Sequence, residues 1–173
     1  MSEDAAGPRQ VEPTRHVIAD SPTNPGNPLP VLHYRQAANP SGELTAWFGT
    51  LFAAHRWLGA WTGELYDFDH VHPDAFEVLG VVRGEGSVVC GGSQGTAVDV
   101  SPGDVVVIPA GVVHRAQPGS LTVVGAYFED ARPGTVRIGS RDRLALAEQA
   151  ANVAAPDMDP LYGDEGPLER IYE

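Results

Sequence analysis

His70-Val71-His72-Pro73-Asp74-Ala75-Phe76-Glu77-Val78-Leu79-Gly80-Val81-Val82-Arg83-Gly84 is the stretch on which the reading of this chain turns. His70 and His72 stand two residues apart, so in an extended segment their imidazoles project from one face. Pro73-Asp74 reads as a turn, and Glu77, five residues beyond His72, opens the apolar run that ends at Val82. A carboxylate at the head of a segment fit for burial must be paired, ligated or protonated, and a metal ion shared with the neighbouring imidazoles meets that need. A second stretch, from Gly103 through Pro109-Ala110-Gly111 to His114, carries another hairpin signal and offers His114 from a facing strand.

Outward from these stretches the texture is β. Short apolar runs, Glu64 to His72, Phe76 to Arg83, Ser87 to Cys90, Ala97 to Val100, Val105 to Ile108, Val112 to Ala116 and Leu121 to Phe128, alternate with separators such as Gly84-Glu85-Gly86, Gly91-Gly92, Ser101-Pro102-Gly103-Asp104 and Gln117-Pro118-Gly119. Many short strands between Gly/Pro turns predict an all-β sandwich or barrel. Residues 61–130 are assigned to this β domain. Residues 1–30 read as a polar, Pro-rich leader, whose turn formers in Ser21 to Pro28 leave no room for a regular element and whose first half is mobile. Residues 31–60 read as an arm and a flanking helix, with Ser41 as N-cap and an apolar stripe of Leu44, Trp47, Phe48, Leu51 and Phe52. Residues 131–173 form a C-terminal extension, Ala-rich and helical over 141–153 and turn-rich from Pro156.

The spacing resembles that of the cupins. Their first motif runs His-X-His, a short gap, Glu, six residues and Gly, which here is His70, His72, Glu77 and Gly84; their second runs Gly, five residues, Pro-X-Gly, two residues and His, here Gly103, Pro109, Gly111 and His114. Two positions depart: Glu64 and Pro118 stand where the motifs carry Gly and Asn, and neither is a ligand position. A wider likeness, over about 24–170, is to a group of small bacterial cupins, on Asn27-Pro28-Leu29-Pro30-Val31, Trp57, Trp61, Gly63, Tyr66 and Asp159-Pro160-Leu161-Tyr162-Gly163. In that group a further His often precedes the glutamate, and here the position is Phe76. The resemblance implies an all-β cupin jelly-roll barrel with an N-terminal flanking helix, and one divalent metal held by His70, His72, Glu77 and His114.

Composition narrows the function classes. The formal net charge is -12, from 23 acids against 11 bases, so a basic nucleic-acid footprint is not expected. All the bases are arginine, and the absence of lysine excludes Schiff-base and P-loop chemistry. Cys90, the one cysteine, excludes an internal disulfide and is expected to be a buried, inert thiol. The acidic N-terminus does not resemble a secretory signal and no run is long enough to span a bilayer, so a cytoplasmic protein without membrane contact is expected.

Three imidazoles and a carboxylate suit Fe, Mn, Ni, Co or Zn. Such an ion keeps places for a small oxygenated organic substrate, and the expected activity is that of an oxygenase or isomerase. The alternative is a non-catalytic cupin that binds a metal or small ligand. A DNA-binding sensor is disfavoured, because no second helix or basic face accompanies the flanking helix. Arg83, Arg115 and Tyr127 are the candidate catalytic residues, and Phe68, Phe76, Val81, Ile108 and Phe128 the candidate pocket walls. A homodimer is expected from the apolar flank around Trp47, Phe48 and Trp57.

Overall fold

Valine-rich runs interrupted by Gly/Pro turns pair as antiparallel strands, because β-branched side chains pack well on a pleated surface and the turns reverse the chain. The computed structural model describes residues 7–40, 42–117, 119–129, 133–138 and 143–173. Its strands are β1 (Thr14–Ile18), β2 (Asn27–Tyr34), β3 (Trp57–Glu64), β4 (His70–Val71), β5 (Glu77–Arg83), β6 (Gly86–Cys90), β7 (Thr96–Val100), β8 (Val105–Ile108), β9 (His114–Gln117), β10 (Thr122–Phe128) and β11 (Val136–Arg137). The helices are α1 (Leu44–Ala54), α2 (Arg143–Ala151) and α3 (Leu168–Tyr172). The strands make two antiparallel sheets, ordered β1-β2-β8-β5-β10-β3 and β11-β4-β9-β6-β7.

The central strands of the larger sheet are buried on both faces, which is why they read as continuous rather than alternating apolar runs. Leu79, Val81, Val106, Ile108 and Val123 turn inward, onto Val88, Cys90, Val98 and Val100 of the second sheet. Val78, Val105, Val107, Val124 and Ala126 turn outward, onto Phe48 and Phe52 of α1 and onto Leu161, Leu168 and Tyr172 of the C-terminal segment. Gly80 makes this second layer possible, since a Cβ there would lie 2.7 Å from the Phe48 ring. Each buried Phe of α1 contributes about 2 kcal/mol in hydrophobic transfer.

Several expectations need correction. The segment read as a leader holds β1, and β2 runs from its last residues into the arm; both extend the larger sheet beyond β8. Pro28 and Pro30 are tolerated because β2 meets β8 only over Leu32 to Tyr34, and the β1–β2 register shifts between His16 and Ile18. A missing N–H costs little where the ladder is one-sided or bulged. The run expected as one strand from Glu64 to His72 divides into the end of β3, a bend, and the short β4. Within that bend Leu65 N donates to Leu121 O and Tyr66 O accepts from Ala116 N. Glu43 rather than Ser41 stands at the N-cap position of α1, with no side-chain cap bond, and Ser41 lies outside the described residues, as do Pro118, Arg141 and Asp142. The apolar flank offered for dimerisation is used within the chain: Phe48 and Trp57 are fully buried, and Trp47 packs against the same core.

Candidate metal centre

The two sheets bring the histidines and Glu77 together from three directions. His70 on β4 lies directly across from His114 on β9, and His72 follows at the end of β4. Glu77 begins β5 of the other sheet. Ring centroids stand 4.2 Å apart for His70 and His114, 5.5 Å for His70 and His72, and 5.7 Å for His72 and His114. One donor atom from each histidine lies within 4.8 Å of the others, so the three could hold a metal ion. All four residues are buried, with Glu77 and His114 each only 1% exposed.

The backbone decides which ring nitrogen is available. Nδ1 of His70 lies 3.0 Å from the Phe68 carbonyl, that of His72 3.2 Å from Gly134 O, and that of His114 2.9 Å from Val112 O. A carbonyl only accepts, so each Nδ1 carries the hydrogen and each neutral ring presents its Nε2 lone pair to the others. Outer bonds of this kind orient metal-ligating histidines. Nε2 of His114 lies 3.1 Å from Glu77 Oε1, and Nε2 of His72 lies 3.5 Å from Glu77 Oε2. Lone pair facing carboxylate is repulsive unless a cation or an additional proton lies between them. Glu77 Oε2 has no hydrogen-bond partner although it is buried. An orphaned carboxylate oxygen 3.5 Å from the His72 Nε2, at the edge of a three-histidine cluster, fits a divalent cation.

Protonation follows the same logic. Burial, with His114 beside it, lowers His70 to about 3. Burial also works to lower His72, but Glu77 outweighs it and the net shift is upward. Burial opposes ionisation of Glu77, and it is a proton or cation between the carboxylate and the facing nitrogens of His114 and His72 that outweighs burial and holds the carboxyl well below the usual carboxylate range. Cys90 pairs across the sheet with His114, and burial pushes its thiol up to about 12, consistent with an inert packing residue.

The cupin domain family matches residues 59–121. A protein of Bacillus subtilis (strain 168) named "Uncharacterized protein YjlB" is 33% identical over 169 residues, 93% of this chain and 97% of the relative. The chain belongs to the cupin family. The crystal structure of DMSP lyase DddQ from Ruegeria pomeroyi DSS-3 is similar at a TM-score of 0.36 and 17% identity, covering 77% of this cupin and 60% of that chain. A likeness that low carries no inference about activity.

Two of the cupin's clustered histidines, His70 and His72, open on a cavity of about 310 Å³, lined also by Trp61, Gly63, Glu64, Leu65, Tyr66, Glu77, Tyr127 and Thr135. Of the candidate catalytic residues only Tyr127 is among them. Tyr127 lies across from Glu77 on β10, its ring 5.6 Å from that of His72, and Trp61 Nε1 donates to its hydroxyl at 3.1 Å. Burial and the Glu77 carboxylate push the phenol above its ordinary value, so it stays protonated at neutral pH. Arg83 is exposed at the far end of β5, away from the cavity. Arg115 pairs with Asp69 at 3.2 Å and borders an adjoining groove that shares Glu64, Leu65 and Tyr66 with the cavity.

The expected pocket walls also need correction. Val81 and Ile108 belong to the core between the sheets, Phe76 packs on Tyr172, and Phe128 packs on Trp57. Phe68 is one ring removed, stacked on Tyr66 at 4.7 Å. The walls are instead Trp61, Leu65 and Tyr66. A signal for Trp61 was present in Gly125, its partner across β3 and β10, where a Cβ would lie 2.3 Å from the indole. Among the described residues no helix is long and apolar enough to cross a membrane.

Proposed function

We propose that the two sheets close as a jelly-roll barrel around one divalent transition metal held by His70, His72, His114 and Glu77, and that the protein is a metal-dependent enzyme for a small oxygenated organic molecule. The observation that carries the reading is the joining of an incomplete ligand set to a cavity: His70, His72 and Glu77 line it, and Glu77 Oε2 there has no donor. A metal that served only to brace the fold would be enclosed on all sides. Three neutral imidazoles and one carboxylate leave a dication with a net positive charge toward the cavity. When bound, such an ion supplies Lewis acidity toward a carbonyl or enolate oxygen or, as iron, a meeting place for substrate and dioxygen.

The chain's own residues do the rest. Trp61 fixes the Tyr127 oxygen by donating to it, which leaves the phenol hydrogen to be given to Glu77 or to a substrate oxygen. Tyr127 therefore acts as a hydrogen-bond donor and proton source rather than as a base. Trp61 and Leu65 keep water from the inner end, and Tyr66, 51% exposed, stands at the mouth. The test is oxygen uptake and product analysis with candidate diols, diketones and thiols, using protein loaded in turn with Fe(II), Mn(II), Ni(II), Co(II) and Zn(II). Metal-dependent turnover lost in Glu77→Gln is the expected result. Tight metal binding with no turnover of any candidate would favour the non-catalytic alternative.

A further inference from the structure

The three histidines are not oriented by the same means. His70 and His114 each donate from Nδ1 to a carbonyl two residues back, Phe68 O at 3.0 Å and Val112 O at 2.9 Å. Those acceptors arrive with the strand that carries the ring. His72, just past the end of β4, donates instead to Gly134 O at 3.2 Å, 62 residues further along. Its acceptor has to be brought to the site and held there.

Whatever holds Gly134 therefore bears on the ligand set. Gly134 is exposed, and a Cβ there would meet nothing within 4 Å, so no packing of its own fixes the carbonyl. Glycine also has the widest choice of backbone angles. Two tethers restrain it. On its C-terminal side β11 pairs with β4, Val136 against Val71 and Arg137 against His70, and Ile138 N donates to Asp69 O. Val136 and Ile138 pack there on Val71, Val113 and Leu146. At Gly134 itself the tether is Asp74, whose Oδ2 accepts from Gly134 N at 3.4 Å. Asp74 lies in the turn that follows His72, so one side chain ties the acceptor back to the hairpin that carries the ligand.

We propose that Asp74 is a positioning residue of the metal centre: by holding Gly134 it fixes the carbonyl that orients His72, and so keeps His72 Nε2 turned toward the other ligands. This role rests on the metal reading above and adds to it a residue that acts through another. Thr135, next along from Gly134, lines the cavity, so the same bond also sets one stretch of its wall. Outer partners of metal-ligating histidines typically contribute about 10- to 100-fold in metal affinity. A single long bond belongs at the lower end of that range.

The test is hydrogen exchange of the histidine ring N–H groups, followed by proton–nitrogen NMR in the full-length, metal-free protein, and then Zn(II) affinity by competition titration of the same samples. Asp74→Ala should speed exchange of the His72 Nδ1–H at least about fivefold and leave those of His70 and His114 within about twofold, because their acceptors are local. Zn(II) affinity should fall about tenfold with it. Asp74→Asn keeps an acceptor oxygen in place and should stay within about twofold of the wild type in both measurements. Asp74→Ser keeps the turn chemistry, but its hydroxyl stops one bond short of Gly134, so it should behave as Asp74→Ala does. Unchanged His72 exchange in Asp74→Ala and Asp74→Ser overturns the proposal. So does equal acceleration at all three rings, or a Zn(II) affinity that holds in spite of faster His72 exchange. None of these touches the metal reading as long as the wild type takes up Zn(II). A wild type that takes up none, with the exchange pattern as expected, overturns the metal reading and leaves Asp74 assigned to His72.

Discussion

Two buried histidine–carboxylate clusters lie in this cupin, and they are built to opposite standards. At the β2–β8 end, His33 Nε2 meets Asp104 Oδ2 at 2.8 Å, and both residues are 2% exposed. Asp104 Oδ2 also accepts from Ser101 N, while Oδ1 accepts from Gln36 N and Gln36 Nε2. Each oxygen of that carboxylate has donors. At the β4–β9 end, Glu77 Oε2 has none, and the nitrogens facing the carboxylate carry lone pairs once their Nδ1 atoms are given to carbonyls. Burial of a histidine beside an acid is therefore no mark of function by itself. A completed set holds the fold together, and an incomplete set converging on a cavity calls for a ligand.

The sharpest way to break this contrast is to remove each carboxylate. Asp104→Ala leaves a buried imidazole and three N–H groups without an acceptor, and should cost about 3 kcal/mol in urea unfolding. Glu77→Gln should change the metal-free protein by less than about 1 kcal/mol, because that carboxylate is poorly satisfied to begin with. Comparable losses in the two variants would remove the distinction. Next in size, His114→Ala should weaken Fe(II), Mn(II) or Zn(II) binding at least about tenfold, or 1.4 kcal/mol, in a competition titration. Asp104→Asn should leave metal affinity unchanged.

Acidification separates the clusters further. Burial disfavours the ionised form of Asp104, but His33 and Gln36 outweigh it and the carboxyl is held below its ordinary value. Its contribution to stability is therefore present above that value and lost as pH falls through the depressed one. Unfolding followed from about pH 5 to pH 3 should show a steeper loss in the wild type than in Asp104→Asn, by about 1 kcal/mol or less. Parallel profiles would mean that Asp104 is not titrating in that window. The smallest effect belongs to Tyr127→Phe, which should alter metal affinity by less than about threefold, since the phenol touches the site without ligating. A larger fall would place Tyr127 among the ligands.

The site was far more legible in the sequence than its surroundings. The approach of His70, His72 and His114 follows from motif spacing along hairpins, so these candidates could be named from sequence distances, and Glu77 beside them was conspicuous as an acid opening an apolar strand. The cavity wall was not legible, because β5 and β8 are buried on both faces and their apolar runs do not say which side faces the ligands. Val81 and Ile108 went to the core for that reason, while Trp61, its inward position made possible by Gly125, was passed over as a wall residue. The first strands were missed because Pro28 and Pro30 signal turns, and the bulge that accommodates them is a tertiary feature.

The most direct test of the central claim is metal content, measured by mass spectrometry on protein purified without chelator or affinity metal, for the wild type, Glu77→Gln and Asp104→Asn side by side. The account predicts about one divalent transition-metal ion per chain in the wild type and in Asp104→Asn, and strong depletion in Glu77→Gln. A wild type that takes up no metal even when offered it, or a Glu77→Gln variant that retains a full complement, would contradict it.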